Sequence, residues 1–98
     1  MDMEHPVLKV FDTAAALVAA KASDYAENDD VFSNFKNVAG TVGITVDQVF
    51  FSQVVNKVER IRQLLAKGSA ENEPLEDSLL DLGNYAFLWK AYLDGGAQ

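Results

Sequence analysis

Apolar residues recur along this chain at intervals of three and four, the spacing of helices that bury one side. From Pro6 to Ser23, Val7, Val10, Phe11, Ala14, Leu17 and Val18 share one face, with Lys9, Asp12 and Ser23 on the other. Pro6 suits a first helical turn. After the acidic stretch Glu27-Asn28-Asp29-Asp30, a short helix is expected over Val31 to Ala39, carrying Phe32 and Phe35. Gly40 and Gly43 then end it. From Val46 to Lys67, Phe50, Phe51, Val54, Val58, Ile61 and Leu65 form a stripe opposite Ser52, Asn56, Glu59 and Gln63. Thr45 with Gln48 reads as a capping box, and Gly68 and Ser69 as the stop. A last helix is expected over Pro74 to Leu93, with Glu76 and Asp77 suiting the positive end of its dipole. Only Thr41 to Val46 hints at a strand. The pattern predicts an all-α fold, an antiparallel helical bundle of three long helices plus one short helix. The domain reading is one helical domain over 1–98, its core about 6–93, with 94–98 a flexible tail.

Composition narrows the function. The 98 residues carry 8 Lys+Arg against 15 Asp+Glu, a net charge of −7. That balance argues against nucleic acid as a main partner, because phosphate backbones are met by clustered cations. A nucleotide bound with a divalent cation is not excluded. With no Cys, disulfides, thiolate zinc sites and a Cys nucleophile are ruled out. The lone His5 reads as an ordinary terminal residue, and no serine has a histidine nearby for a triad. The first residues, Met1-Asp2-Met3-Glu4, are acidic where a signal peptide is basic, and no apolar run is long enough to span a bilayer. A cytoplasmic protein with no membrane partner is the expectation. A chain this short buries only about two-thirds of its unfolded surface, which favours assembly.

The informative residues are charges on the wrong faces. At about 100° per residue, Lys21 falls in the first helix's apolar stripe, with Asp24 and Tyr25 following. Lys57 falls between Phe50, Val54, Ile61 and Leu64, with Arg60 on the border. The last helix is apolar almost all round. Leu75, Leu79, Leu82, Ala86, Trp89 and Leu93 form one face, and only Glu76, Gly83 and Lys90 make a solvent line. Asp77, Asp81 and Asn84 share a third face, flanked by Leu80, Tyr85 and Tyr92, and are expected to point into a seam or cleft.

Buried charges must pair, bind a ligand or line a wet pocket. In one reading Lys21 or Lys57 pairs with Asp81 and fixes helix register, or the lysines extend to water along their stems. In the other, the set handles phosphate. Asp77 and Asp81, one turn apart, share Mg²⁺, which keeps waters and bridges to phosphate oxygens. Lys21, Lys57 and Arg60 meet the remaining phosphate charge, and Tyr25, Tyr85 or Phe32 stacks on a base.

These residues also carry a resemblance. Lys21-x-x-Asp24-Tyr25, Phe32-x-Asn34-Phe35, Lys57-x-x-Arg60 and the block from Glu76 to Tyr85 resemble the nucleotide-modification-associated domain family of phages and bacteria. The likeness runs from about Ala20 to Leu93. It implies a setting in phage nucleotide metabolism or base modification. More distantly the chain resembles the all-α NTP pyrophosphohydrolases of the MazG type, which hold Mg²⁺ with E-x-x-E on one helix and E-x-x-D on another, usually in a dimer. The helix with Asp77 and Asp81 is similar to the second of these. Where the first is expected, Lys57 and Arg60 stand with only Glu59 acidic nearby. Ala26 also follows Tyr25 where the family usually has glycine.

The leading expectation is a small phage-type protein that binds a nucleotide or nucleotide-derived phosphate ligand through Lys21, Asp24, Tyr25, Lys57, Arg60, Asn84 and Tyr85. Asp77 and Asp81 are its metal candidates and Mg²⁺ its cofactor. Pyrophosphohydrolysis is left open. A homodimer or higher homo-oligomer is expected from the all-round apolar last helix. The alternative is a non-catalytic acidic interaction module that binds a host or phage protein.

Overall fold

The computed structural model describes residues 5–24, 31–68 and 74–96, and of residues 21–24 and 96 the backbone alone. All its regular elements are helical, and no strand occurs among the described residues. The chain divides into two units, Met1–Val31 and Phe32–Gln98.

The first unit holds α1, Pro6–Asp24. The His5 imidazole caps it: Val7 N–H donates to His5 Nδ1 at 3.2 Å. Thr13, a weak helix former, turns its hydroxyl back to Lys9 O at 3.0 Å. Tyr25 and the acidic stretch Glu27 to Asp30 lie outside the described residues, as do the side chains of Lys21 and Asp24.

The second unit holds α2 (Ser33–Val42), α3 (Val46–Lys67) and α4 (Leu75–Ala91), which runs on into a π-helical turn, Tyr92–Gly96. Several boundaries differ from expectation. Helix α2 starts at Ser33 and passes through Gly40, where no neighbour crowds the backbone and helical geometry is allowed. It ends at Gly43, whose φ of 84° is left-handed and nearly free of cost only for glycine. Gly43 and Ile44 both donate to Ala39 O, at 2.9 and 3.0 Å. The weak strand candidate is therefore the end of α2 and a sharp corner, and α2 and α3 meet at 102°. At the other end, where the tail is expected from residue 94, Tyr92–Gly96 continue helically, and Asp94 pairs with Lys90 one turn back.

Helix α3 has the expected limits because its end signals are local. Gln48 N–H donates to Thr45 Oγ1 at 3.0 Å, and Thr45 N–H donates to Gln48 Oε1 at 2.9 Å. Gly68, at φ 77°, donates to Leu64 O. On α4, Pro74 precedes the first turn rather than occupying it, with its ψ of 153° extended.

Helices α3 and α4 run antiparallel. Trp89, late in α4, donates from Nε1 to Asp47 Oδ1 at the start of α3, at 2.8 Å. Lys57 and Asp81 meet midway. Between them an aromatic core forms around Phe50, which is fully buried. Phe35 of α2 stacks on it at 4.2 Å, and Trp89 and Tyr92 close around it at 6.1 and 5.7 Å. Offset and edge contacts of this kind contribute about 0.5–1.5 kcal/mol each beyond area burial.

The buried stripe of α3 is narrower than the apolar pattern. Val49 and Phe50 are buried and Val54 and Ile61 half-buried, but Phe51, Val58 and Leu65 are exposed. Of these, Phe51 still meets the Trp89 ring of α4 at 6.5 Å. On α4 and the turn that follows it, Trp89 and Tyr92 join the core while Leu79, Phe87 and Leu93 are exposed. No single helix among the described residues is long and apolar enough to cross a membrane.

Candidate functional site

The α3–α4 seam carries the polar cluster. Lys57 projects from the centre of the packed face of α3, as its position in the stripe predicts. Its Nζ lies 3.2 Å from Asp81 Oδ2 and 5.9 Å from the centroid of the Tyr85 ring. Asp81 and Tyr85 are one helical turn apart on α4, so both reach the same lysine. The Tyr85 ring meets Phe35 edge-on at 6.3 Å, which ties the cluster to the aromatic core. The side chains of Lys57 and Asp81 keep 22% and 30% of their exposure. The pair is thus shielded on its inner side and reachable from water on the other.

Two further polar groups lie beside it. Asn84, three residues after Asp81, is buried. Ser78, three residues before Asp81, is fully buried, and its Oγ has no hydrogen-bond partner among the described residues. The sequence pattern did not single out Ser78. It sits one residue from Asp77, yet the helical turn sends it to the packed side and leaves Asp77 exposed. The seam expected to hold Asp77, Asp81 and Asn84 therefore holds the last two. Asp77 belongs to the first turn of α4, where it faces water.

Arg60 is exposed on α3, one turn from Lys57. On the outer face of α3, Arg62 grips Glu59 through two hydrogen bonds, Nε to Oε2 at 2.9 Å and Nη2 to Oε1 at 2.5 Å. These bonds hold the Glu59 carboxyl below its ordinary range and push the Arg62 guanidinium up. This acid is thus committed to a surface pair on its own helix.

Of the expected ligand residues, the structure brings together Lys57, Asp81, Asn84 and Tyr85. Lys21, Asp24 and Tyr25 fall outside the described side chains. No group of three or more His, Asp or Glu gathers among the described residues. Toward Mg²⁺ they offer Asp77 and Asp81, the second already paired with an ammonium. Mg²⁺ takes about six oxygens, so waters and ligand oxygens would have to supply most of the shell. The Trp89–Asp47 bond was beyond sequence reasoning, since its partners are 42 positions apart.

No protein-family model, curated protein or solved structure matches the chain.

Proposed function

We propose that this protein binds a nucleotide or nucleotide-derived phosphate ligand at the α3–α4 seam. The observation that carries the reading is Lys57, held half-buried between the Asp81 carboxylate and the Tyr85 ring. A charge placed there costs desolvation that a surface lysine avoids. A cation from α3 with a carboxylate, an aromatic ring and a buried amide from little more than one turn of α4 form the mixed set that small-molecule sites use to fix orientation. The resemblance of Lys57-x-x-Arg60 and Glu76 to Tyr85 to the nucleotide-modification-associated family supports the same ligand class. An antiparallel bundle of three long helices and a short one is part of the proposal, supported by the antiparallel α3–α4 pair. The proposed setting is cytoplasmic, that of the host for a phage-encoded chain. Mg²⁺ enters as an ion accompanying the ligand's phosphates, with Asp77 its accessible carboxylate. Hydrolysis is left open.

A thermal-shift panel of nucleoside mono-, di- and triphosphates and cyclic nucleotides, each with Mg²⁺ and with EDTA, tests it. One nucleotide is expected to raise the melting temperature, since ligand at about a hundred times its Kd adds ~2.7 kcal/mol. Lys57→Met should abolish the rise in a protein that still melts cooperatively. A flat panel at millimolar ligand overturns the proposal.

A second reading rests on a different observation. Phe51, Val58, Leu65, Leu79 and Phe87 are exposed, while Ala39, Val49 and Phe50 are the buried apolar residues among those described. Such surfaces mark interaction sites. They favour an interaction module, self-associating or bound to another protein, in which Lys57–Asp81 only fixes helix register.

A further inference from the structure

The seam does not present a bare cation. Lys57 Nζ stands 3.2 Å from Asp81 Oδ2, so the two formal charges cancel at the site. A phosphate of charge −1 to −2 approaching Lys57 meets the Asp81 carboxylate beside it, in a unit (32–98) whose 6 Lys+Arg against 8 Asp+Glu give no positive excess. Arg60 is one turn away but exposed. Such a site is poorly suited to anions and well suited to an uncharged polar group.

What the pair does present is a strong donor next to a strong acceptor, on the partly open side of an otherwise packed seam. The ammonium donates and the carboxylate accepts. The hydrogen-bonding edge of a nucleobase has the complementary form: a ring C=O or ring nitrogen that accepts, next to an N–H that donates. Tyr85, edge-on to Phe35, supplies an apolar wall beside this edge. Buried charged groups that hydrogen-bond a ligand reject analogues lacking the matching atoms, because the groups are then left unmatched.

Resting on the nucleotide reading above, we infer that the end of the ligand held at Lys57 and Asp81 is the base, with the phosphates directed away from this pair. Lys57 donates to the base's acceptor and Asp81 accepts from its N–H.

The two ends are separated by isothermal titration of the full-length protein with nucleosides, inorganic phosphate, pyrophosphate and the parent nucleotides. Nucleosides should bind within about tenfold of their nucleotides, and phosphate and pyrophosphate should not bind at Lys57. Asp81→Asn gives opposite signs in the two cases. It removes the base's charged acceptor, so nucleoside binding should fall by about tenfold or more. Were phosphate seated at Lys57, the same change would remove a repelling charge and tighten binding. Lys57→Gln provides the check if Asp81→Asn does not fold. It keeps a neutral donor, as asparagine keeps a neutral acceptor, so nucleosides and nucleotides should weaken alike, by about tenfold, and nucleotides weakened far more than nucleosides overturn the inference. Nucleotides that bind while nucleosides do not, or tighter binding in Asp81→Asn, overturn this inference and leave the nucleotide reading standing. Silence from nucleotides and nucleosides alike overturns both.

Discussion

Ser78→Ala tests the packing of the seam by the sign of its effect. Ser78 is fully buried and its Oγ is unpartnered. A buried hydroxyl without a hydrogen bond costs about 1–3 kcal/mol by mutational measures. Alanine removes that cost and adds at most a few tenths of a kcal/mol of helix propensity at this fourth position of α4. Against it stands the lost packing of one oxygen atom, smaller than the ~1 kcal/mol of a deleted methylene. The net expectation is a stabilisation of ~1 kcal/mol, which for a domain near this size raises the melting temperature by about 4–8 °C. Urea unfolding followed by circular dichroism checks it: the midpoint should rise with an unchanged slope. A midpoint lowered by a comparable amount would refute the reasoning, because the hydroxyl would then be making a bond worth more than its burial costs.

Two further outcomes follow from the geometry. Phe50→Ala removes the fully buried ring that Phe35, Trp89 and Tyr92 surround. It should cost about 3–5 kcal/mol, a large share of the roughly 5–15 kcal/mol available to such a chain; a urea midpoint within error of the parent's would contradict the aromatic core. The Glu59 carboxyl, held down by its bonds to Arg62, should titrate below an ordinary glutamate by NMR and move back up in Arg62→Gln. Because the folded pKa is depressed, the pair's contribution is present above the unfolded carboxylate range and is lost as pH falls through the folded value. Being a surface pair, it should also fade with added salt.

What could be read from the sequence divides by the range of the signal. Helix α3 was legible to the residue because Thr45, Gln48 and Gly68 act within one turn of its ends. Helix α2 was not, because Gly40 reads as a breaker; it is only a weak helix former, and the left-handed Gly43 is the true stop. Lys57 was legible as a misplaced charge from its wheel position. That its partner is Asp81 remained one of several possibilities, since periodicity fixes a face and not the rotation of a neighbouring helix. The same limit explains the broad stripe of α3. Phe50 and Phe51 look alike in the pattern, and only the line of α4 decides that the first is buried and the second exposed. Ser78 escaped notice because a small polar residue beside acids reads as surface.

The chain has one tryptophan, and the fold puts it where the end of α4 meets the start of α3. Its indole stacks over Phe50 and donates to Asp47, two contacts that exist only when the two helices are closed on each other. Trp89 emission is therefore an optical gauge of that closure alone. Far-ultraviolet dichroism instead counts every helical residue. If the two signals separate along a denaturation curve, the helices have let go of one another before unwinding. If they coincide, the seam and the helices it joins form one cooperative unit.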